Sequence, residues 1–255
     1  MMSGTILVLA ATALAIQWIA FVPAYLRKTE TFFDLVGSAT FGVVTILAFI
    51  MQPSIDGLSI VLLLLVGIWA ARLGSFLVRR IHRAGTDARF DEIKVSWPRF
   101  LLAWTLQGVW VFVTVSPALV AITSGSRRGL DSFALIGLVV WVAGFTIEVV
   151  ADSQKRRFRD NPENKDTFIQ TGLWSRSRHP NYFGEIVLWT GITIIALPSL
   201  SGWGWLAALS PVFVTVLLTQ MSGIPILERR ADEKWGLQND YQSYKKETPI
   251  LIPRI

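Results

Sequence analysis

The 255-residue chain is 52% hydrophobic and only 16% charged, with a net charge of +6, against about 25% charged residues in an ordinary soluble domain. It has no cysteine and two histidines, His82 and His179. That composition excludes disulfides, thiolate metal sites, iron–sulfur clusters, cysteine nucleophiles and a histidine-rich metal site.

An apolar run of about 20 residues crosses a bilayer as a helix. Seven runs qualify, at about 5–26, 32–51, 58–78, 100–122, 130–151, 183–200 and 203–225. The second and sixth carry a charge near their start, Asp34 and Glu185. The expected fold class is therefore all-α, a polytopic membrane protein of about seven transmembrane helices. Ala-Thr-Ala-Leu-Ala near position 15 looks like a cleavage site, but no positive region precedes it and the apolar run continues. It reads as a span rather than a removed leader. Of the 24 Lys and Arg residues, 21 fall in segments 27–31, 79–99, 152–182 and 226–255. The positive-inside rule then predicts an N-out, C-in topology. Because this charge is spread over loops and forms no basic, aromatic-studded face, no nucleic-acid partner is expected.

We read one membrane domain over 1–255, with no repeat and no glycine-rich phosphate loop. Residues 1–130 are apolar with few polar landmarks, and 131–255 hold nearly every polar cluster. In the first half, Asp34 opens the second span and Arg72 lies within the third. A charge inside a bilayer needs a partner or solvation, so Arg72 is expected to face Asp34 or Glu148. Gln107 reads as an interhelical hydrogen-bonding residue. The 79–99 loop, with Arg79, Arg80, Asp87, Arg89 and Asp91, reads as an ordinary positive-inside loop.

At the end of the fifth span, Glu148, Asp152, Lys155 and Arg159 are spaced four, three and four apart, on one helix face. They suit a ribose diol and phosphates, and they equally suit a row of surface salt bridges. The segment 152–182 is long enough to fold over a site, with its turn at Asn161-Pro162-Glu163-Asn164-Lys165-Asp166. Residues 172–185, Gly-Leu-Trp-Ser-Arg-Ser-Arg-His-Pro-Asn-Tyr-Phe-Gly-Glu, are the most polar stretch between two apolar runs. Ser177 or His179 can cap a helix starting at Pro180. Asn181 and Glu185 then share a face at its N-terminus, where free N–H groups attract anions, and Arg176 and Arg178 can reach phosphate oxygens. In the tail, Glu228 and Asp232 share a face. Tyr241 and Tyr244 sit on a short amphipathic helix expected to close the site from below.

The motif Gly172-Leu173-Trp174-x-x-x-Arg178-His179-Pro180-Asn181-Tyr182-x-Gly184-Glu185 resembles the C-terminal signature of the steroid 5α-reductase superfamily. It is most similar to its bacterial DUF1295 branch. Glu148-x-x-x-Asp152-x-Gln154-Lys155, Asn161-Pro162-x-Asn164-Lys165 and Phe33-Asp34-Leu35-x-Gly37 support the same resemblance. It implies a seven-helix fold whose C-terminal helices and cytoplasmic loops bind NADPH. A hydride then passes to the β-carbon of an apolar enone, a sterol- or isoprenoid-like substrate that enters from the bilayer. By position, the resemblance places Asp152, Arg159, Asn181 and Glu185 against the dinucleotide. Glu148, Lys155, Arg178, His179, Tyr182, Tyr241 and Tyr244 are assigned to the same site. The steroid reductases polarise the enone with a glutamate and a tyrosine from the N-terminal half. That half here has Tyr25 as its only tyrosine and no glutamate within its spans, Glu30 lying just before the second, so Asp34 and Arg72 stand as the catalytic candidates.

Arg178-His179-Pro180-x-Tyr182-x-Gly184, with Glu228, Tyr241-x-x-Tyr244 and Thr248-Pro249, is also similar to isoprenylcysteine carboxyl methyltransferases. That resemblance implies S-adenosylmethionine and a lipid carboxylate acceptor instead. A non-enzymatic lipid-binding membrane protein is the third reading. No metal is expected under any of them.

Overall fold

The computed structural model describes residues 2–52, 55–84, 90–124 and 129–254, with the backbone alone for 2, 3 and 79–84. Arg79, Arg80 and the side chain of His82, with Asp87, Arg89, Arg127 and Arg128, lie outside the described side chains. Among the described residues the chain is helical, without strands. The α-helices are α1 (Met2–Leu26), α2 (Phe33–Met51), α3 (Gly57–Ala84), α4 (Trp97–Thr123), α5 (Ser132–Asp160), α6 (Pro180–Ala196), α7 (Ser210–Val216), α8 (Ile224–Trp235) and α9 (Asn239–Glu247). Seven segments are long and apolar enough to cross a membrane, from Gly4–Leu26 to Gly202–Trp235. All seven expected spans are present, including the two that open on a charge.

Two boundaries differ from the sequence reading. Helix α5 continues nine residues beyond the apolar run, through Asp160, so 152–160 is helix rather than loop. Its polar extension contains good helix formers, and Arg157 and Arg159 in the last turn favour the negative end of the helix dipole. The Asn164 side chain donates to the Phe158 carbonyl at 2.9 Å, satisfying one orphan acceptor where the helix stops. The seventh span is not one α-helix. It runs as a 3₁₀ stretch (Gly202–Leu209), α7, a π-helical turn (Leu217–Met221) and then α8.

The helices sort into two compact units, Met1–Ala134 with Ala196–Ser210, and Leu135–Ile195 with Pro211–Ile255. In the first unit α4 packs against α1, α2 and α3. Phe21, Phe90, Phe100 and Trp104 form one of its buried clusters. Gln107 donates to the Phe33 carbonyl at 3.2 Å, and Gln17 donates to Thr40 Oγ1 at 2.8 Å. These bonds tie α4 to α2 and α1 to α2 where apolar contact alone gives little specificity. Asp34 sits in the first turn of α2. Arg72 lies in α3 with its guanidinium 5.7 Å from the centre of the Phe76 ring. Outside the apolar run, Lys94 bridges buried Glu30 and exposed Asp91, each at 3.0 Å. Both carboxylates hold the Lys94 amine above its ordinary pKa, Asp91 by its hydrogen bond first.

In the second unit α5 and α6 run antiparallel with their backbones in contact. A Cβ on Gly144 would lie 2.4 Å from Leu188 N and 2.7 Å from the Gly184 carbonyl oxygen. A Cβ on Gly137 would meet the Gly191 oxygen at 2.6 Å, and Gly184 and Gly191 face the reciprocal restriction. Four glycines, seven apart on each helix, make a seam along which backbone meets backbone. This is the small-residue route to close packing in a bilayer, where burial against lipid gives no drive. Gly144→Ala is therefore expected to destabilise the protein by about 1–3 kcal/mol through overpacking. Gly42→Ala, on α2 with nothing within 4 Å of the added carbon, is expected to be neutral or stabilising by up to about 1 kcal/mol. Thermal unfolding of both variants in detergent checks the contrast; equal shifts would sink the seam as a packing constraint.

Candidate functional site

The seam ends at the polar residues. Beyond Gly144, α5 presents Glu148, only 4% exposed, then Asp152 one turn on. Gly184 packs against the Glu148 backbone; its Cβ would meet Glu148 N at 2.6 Å. Asn181 in the first turn of α6 donates to Asp152 Oδ1 at 3.2 Å. The two motifs singled out in the sequence thus meet face to face, with Glu185 one turn along from Asn181. The bond between Asn181 and Asp152 gives this part of α5 a partner on another helix.

The segment between α5 and α6 is docked by its backbone. Gly172 has φ +63°, and its Cα lies against the Gln154 side chain, with 2.6 Å left for any Cβ. Gln154 Oε1 accepts from Leu173 N at 2.9 Å. Trp174, buried to 2% exposure, donates from Nε1 to the Ala151 carbonyl at 3.0 Å. The Lys155 amine lies 4.3 Å from the centre of its ring, a cation–π placement. The chain's last residues then return alongside. Arg178 N donates to the Pro249 carbonyl, Ser177 Oγ to that of Leu251 and Arg254 N to that of Arg176, at 2.8–2.9 Å. Tyr244 donates its hydroxyl to the Trp174 carbonyl at 2.6 Å, and Tyr241 donates to Asp232 at 3.0 Å. Burial pushes both phenols above their ordinary pKa, so they stay protonated donors and offer the site chiefly their rings.

Glu228 on α8 joins the motif from across the unit. One oxygen pairs with Arg178 Nη1, and the other lies 2.8 Å from His179 Nε2. His179 is 4% exposed and stacks on Tyr182 at 5.7 Å and 11°. Tyr182 in turn packs on Gly223, just after the π-helical turn, a feature common near functional sites. Burial lowers the His179 pKa, with the Glu228 hydrogen bond opposing that shift. His179 Nδ1 and Arg178 Nε are buried and have no hydrogen-bond partner among the described residues.

These groups border a cavity of about 680 Å³, within the range of small-molecule and cofactor sites. Lys155, Arg178 and His179 line its interior, and exposed Arg159, Lys165, Arg230 and Lys234 stand around it. Against these six Lys and Arg side chains the lining has two carboxylates, Asp160 and Glu228. Phe158, Phe168, Trp174, Trp235, Tyr241 and Tyr244 supply aromatic surface. Of the residues expected to bind a cofactor, Lys155, Arg159, Arg178, His179, Tyr241 and Tyr244 line this cavity. Glu148, Asp152, Asn181, Tyr182 and Glu185 are not part of its lining and cluster along the α5–α6 contact and beside His179. The catalytic candidates Asp34 and Arg72 belong to the other unit. Sequence reasoning missed Lys165, Arg230 and Lys234. Only the tertiary fold brings them together, although Arg230 and Lys234, four apart on α8, signal one cationic face. It also missed the role of Glu228 as the common partner of Arg178 and His179. Among the described residues no group of acids and histidines could hold a metal ion.

Residues 20–248 match the family model described as "Protein of unknown function (DUF1295)". The chain is 27% identical over 119 residues to 3-oxo-5-alpha-steroid 4-dehydrogenase 1 of Mus musculus, covering 47% of this chain and 41% of that protein. It is 31% identical over 127 residues to Delta(14)-sterol reductase of Neurospora crassa, covering 44% and 25%. It is also 24% identical over 107 residues to probable O-methyltransferase ustE of Ustilaginoidea virens, covering 36% and 38%. The chain thus spans less than half the length of each of these relatives. No solved structure matches it. The match to the family model runs over nearly the whole chain, and with its seven apolar helices the protein is an integral membrane member of the DUF1295 family.

Proposed function

We propose that this chain is a membrane-embedded, NADPH-dependent reductase of a C=C bond in an apolar, sterol-like enone. The observation that carries the reading is the cavity bordered by six basic and two acidic side chains. Such a charge excess favours a ligand with several negative charges, and the likeness to steroid and sterol reductases narrows the class. S-adenosylmethionine, the ligand of the methyltransferase reading, carries a sulfonium cation and a zwitterionic amino acid. The same excess of basic groups disfavours it, although the likeness to an O-methyltransferase makes it the control ligand.

In this reading Lys155 and Arg178 bind phosphate oxygens within the cavity, while Arg159, Lys165, Arg230 and Lys234 gather the anion at its edge. The aromatic rings take a flat base. Asp152, Asn181, Glu148 and Glu185 on the α5–α6 contact hold the ribose and nicotinamide end, with His179 and Tyr182 beside them. The bound dinucleotide supplies a hydride. The chain's contribution is to orient that donor and to keep water from the reacting carbon. Arg72, and Asp34 in its protonated form, are proposed to polarise the substrate carbonyl as the enolate develops, since an ionised carboxylate has no proton to donate. The distribution of Lys and Arg supports an N-out, C-in orientation, which turns this cavity toward the cytoplasm of a bacterial cell.

Calorimetry on the detergent-purified protein with NADPH, NADH and S-adenosylmethionine tests the reading. NADPH is expected to bind tightest, with affinity falling as salt rises. Arg230→Ala is expected to weaken it by about 10- to 100-fold. Preference for S-adenosylmethionine would move the protein to the methyltransferases. Asp34→Asn and Arg72→Leu are expected to lower turnover of an enone at least tenfold while leaving NADPH affinity unchanged; a parallel loss of affinity would reassign both residues to the fold.

A further inference from the structure

Glu228 makes two contacts that no ligand is needed to explain. Its carboxylate neutralises Arg178 and sits 2.8 Å from His179 Nε2. An ionised carboxylate only accepts hydrogen bonds, so Nε2 must carry the proton in that contact. A neutral imidazole has one N–H and one lone pair, so the lone pair then falls on Nδ1. That atom is buried and has no hydrogen-bond partner among the described residues, on a side chain that borders the cavity. A buried acceptor without a donor costs free energy unless a ligand supplies one.

We infer that Glu228 is a positioning residue that fixes the Nε2–H tautomer of His179, leaving Nδ1 as an acceptor for an N–H or O–H group of the bound ligand. The inference deepens the reading of the cavity as a dinucleotide site, and it restricts which part of the ligand lies there. A carboxamide N–H or a ribose hydroxyl satisfies Nδ1; a phosphate oxygen, having no proton to give, does not. Phosphates therefore belong with the Lys and Arg side chains, away from the Nδ1 edge of the imidazole. The charged groups facing this ring are Glu228 from α8, Lys155 from α5 and Arg178 from the segment before α6. Burial is the largest cause and opposes protonation of His179, as do the two cations, while Glu228 favours it; the net shift is downward, which keeps the ring neutral near pH 7.

The tautomer can be read directly, because the chain has only two histidines. In ¹⁵N-histidine-labelled full-length protein carrying His82→Gln, the remaining imidazole signal belongs to His179. The expected spectrum at pH 7.5 shows a protonated Nε2 and an unprotonated Nδ1. In Glu228→Gln the new amide can donate to Nε2, and the proton is expected to move to Nδ1. An Nδ1–H tautomer in the parent protein, or an unchanged tautomer in Glu228→Gln, overturns the inference whatever the ligand.

Should Glu228→Gln fail to fold, His179→Gln serves instead. Its Nε2 amide can still donate to Glu228, while no acceptor remains at the Nδ1 position. NADPH affinity is expected to fall about tenfold with the melting temperature retained, and unchanged affinity overturns the inference. If the parent tautomer is as expected and NADPH fails to bind at all, the dinucleotide reading fails while the role of Glu228 in setting the tautomer stands.

Discussion

The backbone contact between α5 and α6 sets the geometry on which the rest of the second unit depends. In a bilayer two apolar helices gain little by meeting, because lipid covers their side chains as well as a neighbour does. Removing the side chains changes that balance. With glycines at 137, 144, 184 and 191 the two backbones approach until dispersion contacts are direct. The register this imposes carries Glu148 and Asp152 to the start of α6, opposite Asn181. Without the seam these residues would be polar groups on two separate helices, each needing its own route to solvation.

A second constraint comes from the chain's last residues. The 172–178 segment forms only a short 3₁₀ turn, Gly172–Ser175, and bonds from distant residues hold it in place. Gln154 and Pro249 accept from its backbone, Tyr244 and Arg254 donate to its carbonyls, and Ala151 and Leu251 accept from its Trp174 and Ser177 side chains. Glu228 adds a charged tie where Arg178 and His179 would otherwise leave buried donors unmatched. While Arg178 Nε and His179 Nδ1 have no partner among the described residues, the bonds that this network does make fix the segment in one arrangement more firmly than apolar packing does. They also explain why the tail, which composition alone would leave as an exposed basic segment, is folded against the motif.

The spans were legible because length and apolarity decide membrane crossing almost alone. The site was legible as a neighbourhood, since Arg178, His179, Asn181 and Glu185 are too polar for a lipid-facing helix. Its internal division was not. Spacing put Glu148, Asp152, Lys155 and Arg159 on one face, but their tertiary partners divide them: Glu148 and Asp152 meet the start of α6, while Lys155, beside Trp174, and Arg159 line the cavity. The seam itself was missed because glycine within an apolar run reads simply as part of that run. Its signature, two pairs of glycines each seven apart on consecutive helices, becomes meaningful only when the helices are known to be antiparallel partners. The seventh span hid its π-helical turn for a similar reason: hydropathy records that a segment is apolar and is blind to how its backbone winds.

The seam also acts as a length standard. Each residue added to a helix rotates everything beyond it by about 100°. One extra residue between Gly144 and Asp152 would leave the glycines joined and swing Asp152 away from Asn181, a third of the way around the helix. The stretch can therefore exchange side chains, but it cannot change its number of residues. A residue added in the connection 161–169 would leave Asp152 and Asn181 at the same positions along their helices.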